Sequence, residues 1–451
     1  MKVLLVAANQ YAVPYPVYPL GLDYVRQALE PRHDVRILDL CAAGDEASER
    51  LADALDQFRP HVVGLALRNV DNIDAAAPVD FIDRYRRIAA EVRARSPALL
   101  VLGGSAFNIF PTEMMDATGA DYGILGEGER LALLLHALEN KTDPRRAAGV
   151  VTLGRPPVFP EPYEGRIVAT FDPHDARVAY YLNHGGMLNL QTKRGCPFGC
   201  VYCTYPVIEG RRMRLFAPDD VGAQAKALQG AGAKYLFITD SSYNAAAGHS
   251  LAVAEAFQKN RIVIPWGAYF TPVPMPPDYY RRLRDSGLTH VEFGVDSLAA
   301  TSLRQYQKPF SVADVVAAHR AAIDAELHVA HYFVLGGPGE NRETLAESLD
   351  NAERLEKGVL FFFCGMRIYP NTPLHTLAVQ EGQIAAADNC LRSTFYRPKE
   401  IDLDAIRDLV AERTQRRPYW VIGAGDEKMN RTVARLHAHG HAGPLWEKLL
   451  W

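Results

Sequence analysis

Three cysteines stand close together in the segment KRGCPFGCVYCTYP (193–206). Cys196, Cys200 and Cys203 are half of the six cysteines in a chain of 451 residues. A zinc site with this spacing would need a fourth protein ligand, and no further cysteine or histidine follows closely. Three thiolates on one loop can instead bind three irons of a four-iron, four-sulfur (4Fe-4S) cluster and leave the fourth iron open to a small molecule. Zinc and three incidental buried thiols remain the alternatives.

The composition is that of an ordinary globular protein. Hydrophobic residues make up 48% of the chain, charged residues 23%, and the net charge is −4. This charge predicts no binding to nucleic acid or to an anionic membrane. No apolar stretch reaches the length of about 18 residues that a membrane-spanning helix needs. Because six cysteines are too few for a disulfide scaffold in a chain this long, we expect the protein in the reducing cytoplasm.

The first 140 residues predict a doubly wound parallel sheet of the Rossmann or flavodoxin type. Short apolar runs alternate there with amphipathic segments, as in KVLLVAAN (2–9) followed by YPLGLDYVRQALEP (18–31). Five continuous apolar runs linked by helical patterns indicate parallel strands covered on both faces. Such sheets bind ligands beyond the carboxyl ends of their strands. Residues 141–188, rich in Pro, Arg and Gly, are predicted to be a linker with some short strands.

A second alternation of strands and helices extends from residue 189 to residue 375. Six strand-like runs, from MLNLQTKRG (187–195) to VLFFFCGMRIYP (359–370), are separated by helical patterns. This order predicts a partial, open (β/α)6 barrel of the TIM type, with its chemistry at the C-terminal ends of the strands. The cysteines directly follow the first of these strands. Residues 376–451 are predicted to be an α-rich C-terminal extension.

The cysteine segment resembles the signature of radical S-adenosylmethionine (SAM) enzymes. With a doubly wound domain ahead of the barrel, the chain resembles their cobalamin-binding subclass over roughly residues 1–375. The resemblance implies that the cysteines bind a 4Fe-4S cluster, that SAM chelates the open iron, and that Tyr202 lies near the adenine. It also implies a small-molecule substrate and an electron donor such as flavodoxin or ferredoxin.

Further SAM contacts are carried over by position in the barrel. TDSSYN (239–244) and EFGVDS (292–297) end the second and fourth strands, VLGGPGE (334–340) resembles the glycine motif of the fifth, and RIYPNTPL (367–374) resembles the sixth-strand segment. The SAM-binding residues implied by the resemblance are Tyr202, Asp240, Ser241, Glu292, Asp296, Ser297, Gly336, Gly337 and Arg367. Hydrogen bonding within the protein is the alternative for the polar residues, and a plain turn is the alternative for the last segment.

The N-terminal domain lacks Asp-x-His-x-x-Gly, the motif whose histidine binds cobalt in many cobalamin proteins. Its own histidines, His33 and His61, stand at strand starts, on the wrong edge of the sheet. The resemblance therefore implies cobalamin held by strand-end loops, with no protein histidine on cobalt. The candidate contacts are Tyr18, Leu20, Gly21, Arg68, Asn69, Gly103, Gly104, Ser105, Gly126 and Glu127. A domain that keeps the fold without the cofactor is the alternative.

The function implied by the resemblance is cobalamin-dependent methyl transfer from SAM to an unactivated carbon of a metabolite, with a 5′-deoxyadenosyl radical abstracting the hydrogen. The alternatives are transfer of another SAM-derived group, such as 3-amino-3-carboxypropyl, radical cyclisation or rearrangement, and a non-catalytic cobalamin or redox sensor. The C-terminal part of such enzymes often shapes the substrate pocket, which makes Tyr419 and Trp420 candidate substrate contacts. Three histidines in 435–451 predict a solvated helix end with an aromatic anchor rather than a metal site.

Overall fold

Two parallel sheets organise the chain in the computed structural model, which describes residues 1–165 and 174–450. The first sheet has the strand order β2-β1-β3-β4-β5-β6, and only β6 is antiparallel to its neighbour. Its strands are β1 (Lys2–Ala7), β2 (Asp34–Asp39), β3 (Val62–Ala66), β4 (Leu99–Gly103), β5 (Tyr122–Ile124) and β6 (Val150–Val151). This is the predicted doubly wound sheet.

Apolar residues on both faces of β1 explain why helices cover this sheet on two sides. Val3 and Val6 are fully buried, and Leu4 and Leu5 are each 2% exposed. A strand buried on both faces requires helices above and below the sheet. These helices are α1 (Leu20–Leu29), α2 (Leu40–Ala43), α3 (Ala47–Phe58), α4 (Ile82–Arg95), α5 (Ser105–Ile109), α6 (Pro111–Thr118) and α7 (Leu131–Glu139).

The second sheet is a seven-stranded parallel sheet with the order β15-β14-β13-β12-β11-β10-β7. Its strands are β7 (Met187–Leu190), β10 (Tyr235–Ile238), β11 (Trp266–Phe270), β12 (Leu288–Asp296), β13 (His328–Leu335), β14 (Gly358–Cys364) and β15 (Trp420–Ile422). Strands β8 (Lys193–Arg194) and β9 (Arg214–Leu215) form a separate antiparallel ribbon beside the cysteine loop. The end strands β7 and β15 do not pair within the described residues, so the barrel is open, as predicted.

Helices alternate with these strands and cover the outside of the open barrel. They are α8 (Ala176–Asn183), α9 (Tyr205–Ile208), α10 (Pro218–Gly230), α11 (Ala247–Lys259), α12 (Tyr279–Arg284), α13 (Ala300–Gln305), α14 (Val312–Asp324), α15 (Arg342–Ala352), α16 (Pro373–Gln380), α17 (Leu403–Thr414) and α18 (Glu427–Ala438). Within the described ranges, no helix is both long and apolar enough to cross a membrane.

Two elements differ from the predicted layout. The segment predicted as a linker contains α8, whose Val178 and Tyr181 are buried, while residues 166–173 of that segment lie outside the described part of the chain. The C-terminal extension contributes β15, which pairs with β14 through Trp420 and its neighbours. Three residues are too few to show a period in the sequence, which is why this strand was not predicted.

The two units are joined by buried polar contacts as well as by the chain. Arg367 Nε donates to Asp71 Oδ2 over 2.8 Å, and both side chains are almost fully buried. Arg194 forms an ion pair with Glu129 at 2.8 Å, again between buried side chains. Charges buried at such a boundary are costly to separate, because each would lose its partner in a low-dielectric setting. The domain boundaries at 140, 188 and 375 remain predictions.

Candidate cofactor-binding site

The cysteine loop follows β7 and the short strand β8, at the C-terminal end of the barrel sheet. Gly195 has φ +90°, and a Cβ there would lie 2.2 Å from the carbonyl oxygen of Arg212. Only glycine allows this close approach of two backbone segments. The Cys196 amide donates to the carbonyl oxygen of Gly210 over 3.1 Å, which closes the loop. Gly199 has no such restriction, so its expected role in wrapping the loop lacks this support.

A lysine that the sequence analysis missed, Lys308, lies near the thiols of Cys200 and Cys203. Lys308 Nζ donates to Asp296 Oδ2 over 2.7 Å, and the Tyr202 hydroxyl donates to the same oxygen over 2.7 Å. Asp296 has φ +63°, an uncommon conformation for a residue other than glycine. No sequence motif links Lys308 with Tyr202. The two residues approach each other only because β12 packs next to the cysteine loop.

The three thiols do not form a preorganised metal site in the described structure, and two of them are protonated at neutral pH. Among the described residues, no three His, Cys, Asp or Glu side chains are arranged to hold a single ion. Burial raises the pKa of Cys203 to about 12, and it also raises the pKa of Cys200, which nearby Lys308 partly offsets. These thiols therefore stay protonated at neutral pH unless a metal replaces the proton. The assignment of the three cysteines as cluster ligands stays a prediction.

Two of the polar residues predicted to contact SAM form hydrogen bonds within the protein. Asp240 is fully buried and accepts from the Thr192 amide and hydroxyl, at 2.8 and 2.5 Å. It thereby fixes the strand end that leads into the cysteine loop. The hydroxyl of Ser297 accepts from the Ala299 amide over 3.1 Å. Ser241 differs, because its buried Oγ has no hydrogen-bond partner in the described structure and is free for a ligand.

The predicted glycine contact is closed by the protein's own side chains. A Cβ on Gly337 would lie 2.4 Å from Cε1 of Tyr306 and 2.6 Å from Cε of Met366. The Gly336 amide donates to Glu340, a buried carboxyl whose pKa burial raises to about 7. The glycines are therefore required for packing and for the turn. The expectation that the backbone of Gly336 and Gly337 lies against the adenosine stays a prediction.

Two further SAM candidates have other surroundings than expected. Arg367 donates to Asp71 and to the carbonyl oxygens of Ile368 and Cys390, so its guanidinium joins the two domains. Glu292 lies in the middle of β12, and its carboxyl faces the barrel lumen rather than the strand end. Both side chains thus have partners within the protein, and their predicted contact with SAM stays a prediction.

A cavity of about 650 Å³ lies between the C-terminal ends of the two sheets. It is lined by all ten residues predicted to contact cobalamin, namely Tyr18, Leu20, Gly21, Arg68, Asn69, Gly103, Gly104, Ser105, Gly126 and Glu127. On the barrel side it is lined by Thr204 and Tyr205, which directly follow the last cysteine. The strand-end loops of both domains thus open into one space, as expected of parallel sheets.

Some polar groups of the cavity wall form hydrogen bonds or ion pairs within the protein, whereas others have no partner in the described structure. Glu127 forms an ion pair with Arg214 and accepts from the Tyr163 amide, so this predicted cobalamin contact is partly committed to the domain boundary. The buried Oδ1 of Asn9 and one terminal nitrogen of Arg194 have no hydrogen-bond partner in the described structure. A ligand with amide groups at its edge would satisfy both kinds of atom.

No histidine is among the described residues that line the cavity. His61 lies at the opposite edge of the sheet, where its Nδ1 accepts from the Lys2 amide over 2.8 Å. His33 lies at the same edge, 3.1 Å from the N-terminal nitrogen. These positions agree with the expectation that neither histidine reaches the ligand.

Family models describe both halves of this architecture. Residues 10–135 match the model of the B12 binding domain, and residues 190–352 match that of the radical SAM superfamily. The chain is a radical SAM protein with a B12-binding domain. The two matched ranges contain the two sheets and meet at the cavity, with the cysteine loop inside the second range.

Curated relatives of this radical SAM protein share about a quarter of its residues. Tryptophan 2-C-methyltransferase of Streptomyces laurentii is 25% identical over 445 residues, covering 82% of this chain and 73% of the relative. Hopanoid C-3 methylase of Methylococcus capsulatus is 25% identical over 308 residues, covering 65% of this chain and 56% of the relative.

Solved structures confirm the fold over its whole length. The radical SAM methyltransferase TsrM from Kitasatospora setae, with tryptophan substrate and a SAM analogue bound, superposes with a TM-score of 0.90 at 21% identity. That comparison covers 100% of this chain and 98% of the other chain. The cobalamin-dependent SAM radical enzyme OxsB, with aqua-cobalamin bound, gives a TM-score of 0.73 at 15% identity and covers 92% of this chain.

The C-terminal candidates occupy different positions from those expected. Trp420 is buried in β15 and packs against Phe362 with ring centroids 5.2 Å apart, on the helix-covered side of the sheet. Its expected contact with substrate is therefore wrong, whereas Tyr419 is half-buried beside it. The aromatic anchor of the C-terminal segment is Trp446, which reaches the barrel lumen and donates to Glu292 over 3.0 Å.

Proposed function

We propose that this radical SAM protein is a cobalamin-dependent methyltransferase acting on a carbon atom of a small molecule. The observation that carries the proposal is the shared cavity, because it brings the B12-domain loops directly against the segment that follows Cys203. Methyl transfer between two cofactors and a substrate needs all three within one enclosed space. The names of the relatives, which include two carbon methylating enzymes, support the same reaction.

The residues of the chain would hold the iron–sulfur cluster, SAM and cobalamin, and would supply no redox chemistry of their own. Cys196, Cys200 and Cys203 would hold the cluster, and Ser241 offers a free hydroxyl at the next strand end. Asn9 and Arg194 would bind amide groups at the edge of the corrin. When bound, these groups supply an electron, a methyl donor and a methyl carrier. The remaining work of the protein is to hold the reacting atoms in line and to exclude water.

Two partners belong to this proposal. We infer a low-potential electron donor such as flavodoxin or ferredoxin, because the proposed cluster must be reduced before it can supply an electron. We also place the protein in the cytoplasm, since six free thiols persist in a reducing compartment.

The test is an anaerobic incubation of the reconstituted protein with SAM carrying a CD3 methyl group, a reductant and a metabolite extract. We expect a product in which one hydrogen on carbon is replaced by CD3, detected by mass spectrometry. The triple variant in which Cys196, Cys200 and Cys203 are alanine is the matched control. A product that has lost hydrogens would indicate radical cyclisation in place of methyl transfer. A product that has gained a larger group would indicate transfer of another part of SAM, such as 3-amino-3-carboxypropyl. No product and no 5′-deoxyadenosine from a fully loaded protein would favour a sensor.

A further inference from the structure

A buried carboxylate stands in the barrel lumen without a cationic partner. Glu292 is 1% exposed and accepts from the Tyr332 hydroxyl over 2.9 Å and from Trp446 Nε1 over 3.0 Å. Within the described part of the chain, no lysine, arginine or histidine forms an ion pair with it. A carboxylate has about four lone-pair positions, so two donors leave it able to accept more. Burial without a cation raises the pKa of Glu292 to about 7, so a cationic ligand would stabilise its ionised form.

Aromatic rings surround this carboxylate. Tyr332 stacks on Phe361 at a centroid distance of 5.0 Å, and Tyr269 meets Tyr332 edge-on at 6.3 Å. Phe237 in turn lies 5.1 Å from Tyr269. Burial raises the pKa values of Tyr15, Tyr269 and Tyr332, and the nearby charge of Glu292 raises them further. The three hydroxyl groups therefore remain neutral. Neutral aromatic faces around a carboxylate attract a cation and its apolar substituents.

Open space connects the aromatic rings around Glu292 to the end of the barrel at which the cysteine loop lies. Gly294 follows Glu292 by two residues on the same face of β12, and a Cβ there would meet no atom within 4 Å. Tyr269, which faces the same lumen, is 41% exposed. Two residues further along β12, Asp296 binds Tyr202 of the cysteine loop. One strand face therefore leads from the carboxylate, past an open position, to the cluster loop.

We propose that Glu292 and the surrounding aromatic rings bind the protonated amine of the substrate, while the substrate body lies over Gly294 and extends towards the cysteine loop. The inference rests on the proposed function, because it assumes that the lumen receives the methyl acceptor. An ammonium group has three donors for the free lone pairs of the carboxylate. The substrate class is thus a small aromatic or aliphatic amine, including amino acids.

The test measures binding of defined probes to the cofactor-loaded protein by titration calorimetry at about pH 8. The probes are tryptamine, tyramine and 2-phenylethylamine, each paired with the neutral analogue in which methyl replaces the ammonium group. We expect at least one amine to bind at least about tenfold more tightly than its neutral partner, as a charge-assisted hydrogen bond requires. Glu292→Gln should remove that preference, because the amide keeps the shape and loses the charge.

Two more variants separate recognition from general damage. Gly294→Phe should fill the open position, where a Cβ meets no atom within 4 Å, and weaken binding of the amine and of its neutral analogue alike. Glu326→Gln changes an exposed glutamate that pairs with Arg284 at 2.7 Å, and it should leave all probe affinities unchanged. The proposal is overturned if no amine binds, if neutral analogues bind equally well, or if Glu292→Gln keeps the preference. Failure of the wild-type protein to bind cobalamin or SAM would instead contradict the proposed function, and the two failures are distinguishable because cofactor binding is measured before the probes are added.

Discussion

Trp446 Nε1 donates a hydrogen bond to Glu292 Oε1 over 3.0 Å, which joins two residues that are 154 positions apart. The adjacent Glu447 meets His290 Nε2 at 3.2 Å, so consecutive residues of the C-terminal segment contact the same strand. Trp446 packs against Ala330, Val359 and Phe361. The C-terminal extension therefore closes the lumen at the end opposite the cofactor loops.

The first prediction is that the three clustered cysteines hold the iron. Purified and anaerobically reconstituted protein should contain about four irons and four sulfides per chain, as a cubane cluster requires. Replacement of Cys196, Cys200 and Cys203 by alanine should remove nearly all of both. Cys390→Ala, which changes a buried cysteine outside the loop, is the control and should keep the iron. Iron retained by the triple variant, or one zinc in the wild type, would contradict the prediction.

The second prediction concerns cobalamin in the shared cavity. Gly21 lines the cavity in the first turn of α1, and a Cβ there would meet no atom within 4 Å. Gly21→Leu should therefore fold normally and weaken hydroxocobalamin binding by about tenfold or more, or about 1.4 kcal/mol. Gly248→Leu places the same side chain at the matching position of α11, with equal room, and is the control.

Histidine ligation is tested separately with the same spectra. Replacement of both His33 and His61 by alanine should leave the absorption spectrum of bound cobalamin unchanged, since both lie at the other edge of the sheet. A shift in that spectrum would show ligation by one of them and leave the binding site itself in place.

The third prediction is that Gly337→Leu destabilises the fold before it affects SAM. The new side chain would meet the ring of Tyr306 and the end of Met366. Overpacking of this kind costs about 1–3 kcal/mol of unfolding free energy. Urea unfolding followed by circular dichroism measures the change. An unchanged unfolding free energy with weaker SAM binding would instead support the expectation that adenosine lies against this glycine.

A fourth prediction follows from the buried ion pair between the domains. Arg367→Met leaves Asp71 buried without its cation, which should cost about 3–5 kcal/mol of unfolding free energy. Arg407→Met breaks a surface pair with Asp404 at 2.7 Å and should cost less than about 1 kcal/mol. Thermal unfolding of both variants beside the wild type gives the comparison. Equal effects of the two substitutions would rule out an energetic role for the buried pair.

The fifth prediction is a pH dependence of stability due to Glu340. Burial raises its pKa from an ordinary value of 4.5 to about 7, so between these values the folded state binds more protons than the unfolded state. Its contribution therefore favours folding below pH 4.5 and is lost as the pH rises to about 7, a change of about 3 kcal/mol. Glu340→Gln removes this pH-dependent contribution. The unfolding free energy of the variant relative to the wild type should therefore increase as the pH rises from 4.5 to about 7. A constant difference between the two proteins from pH 4.5 to 8 would refute the assignment.

The positions of the elements were predictable, whereas several side-chain roles were not. Continuous apolar runs identified β1 to β5 and the six long barrel strands, because a parallel sheet buries both of its faces. The ten cavity residues followed from the rule that ligands bind beyond strand ends. The roles of Lys308, Arg367 and Trp446 depend on contacts between distant segments. No local period or motif encodes those contacts.

The difference between Gly337 and Gly294 shows the same limit at single residues. Both glycines were visible in the sequence, one in a motif and one in a strand. Packing decides that the first is enclosed by Tyr306 and Met366 and that the second faces open space. Sequence reasoning therefore located the candidate site but could not tell which of its glycines leaves room for a ligand.

The ion pairs between the domains determine what can move during a reaction. Two buried ion pairs join the domains, one between Arg367 and Asp71 and one between Arg194 and Glu129. Separating the domains would leave these charges buried without their partners. The spacing between the corrin loops and the cysteine loop is thus determined during folding and is not adjusted in each catalytic cycle. The geometry of this frame would then determine which acceptor carbon of a substrate can be reached.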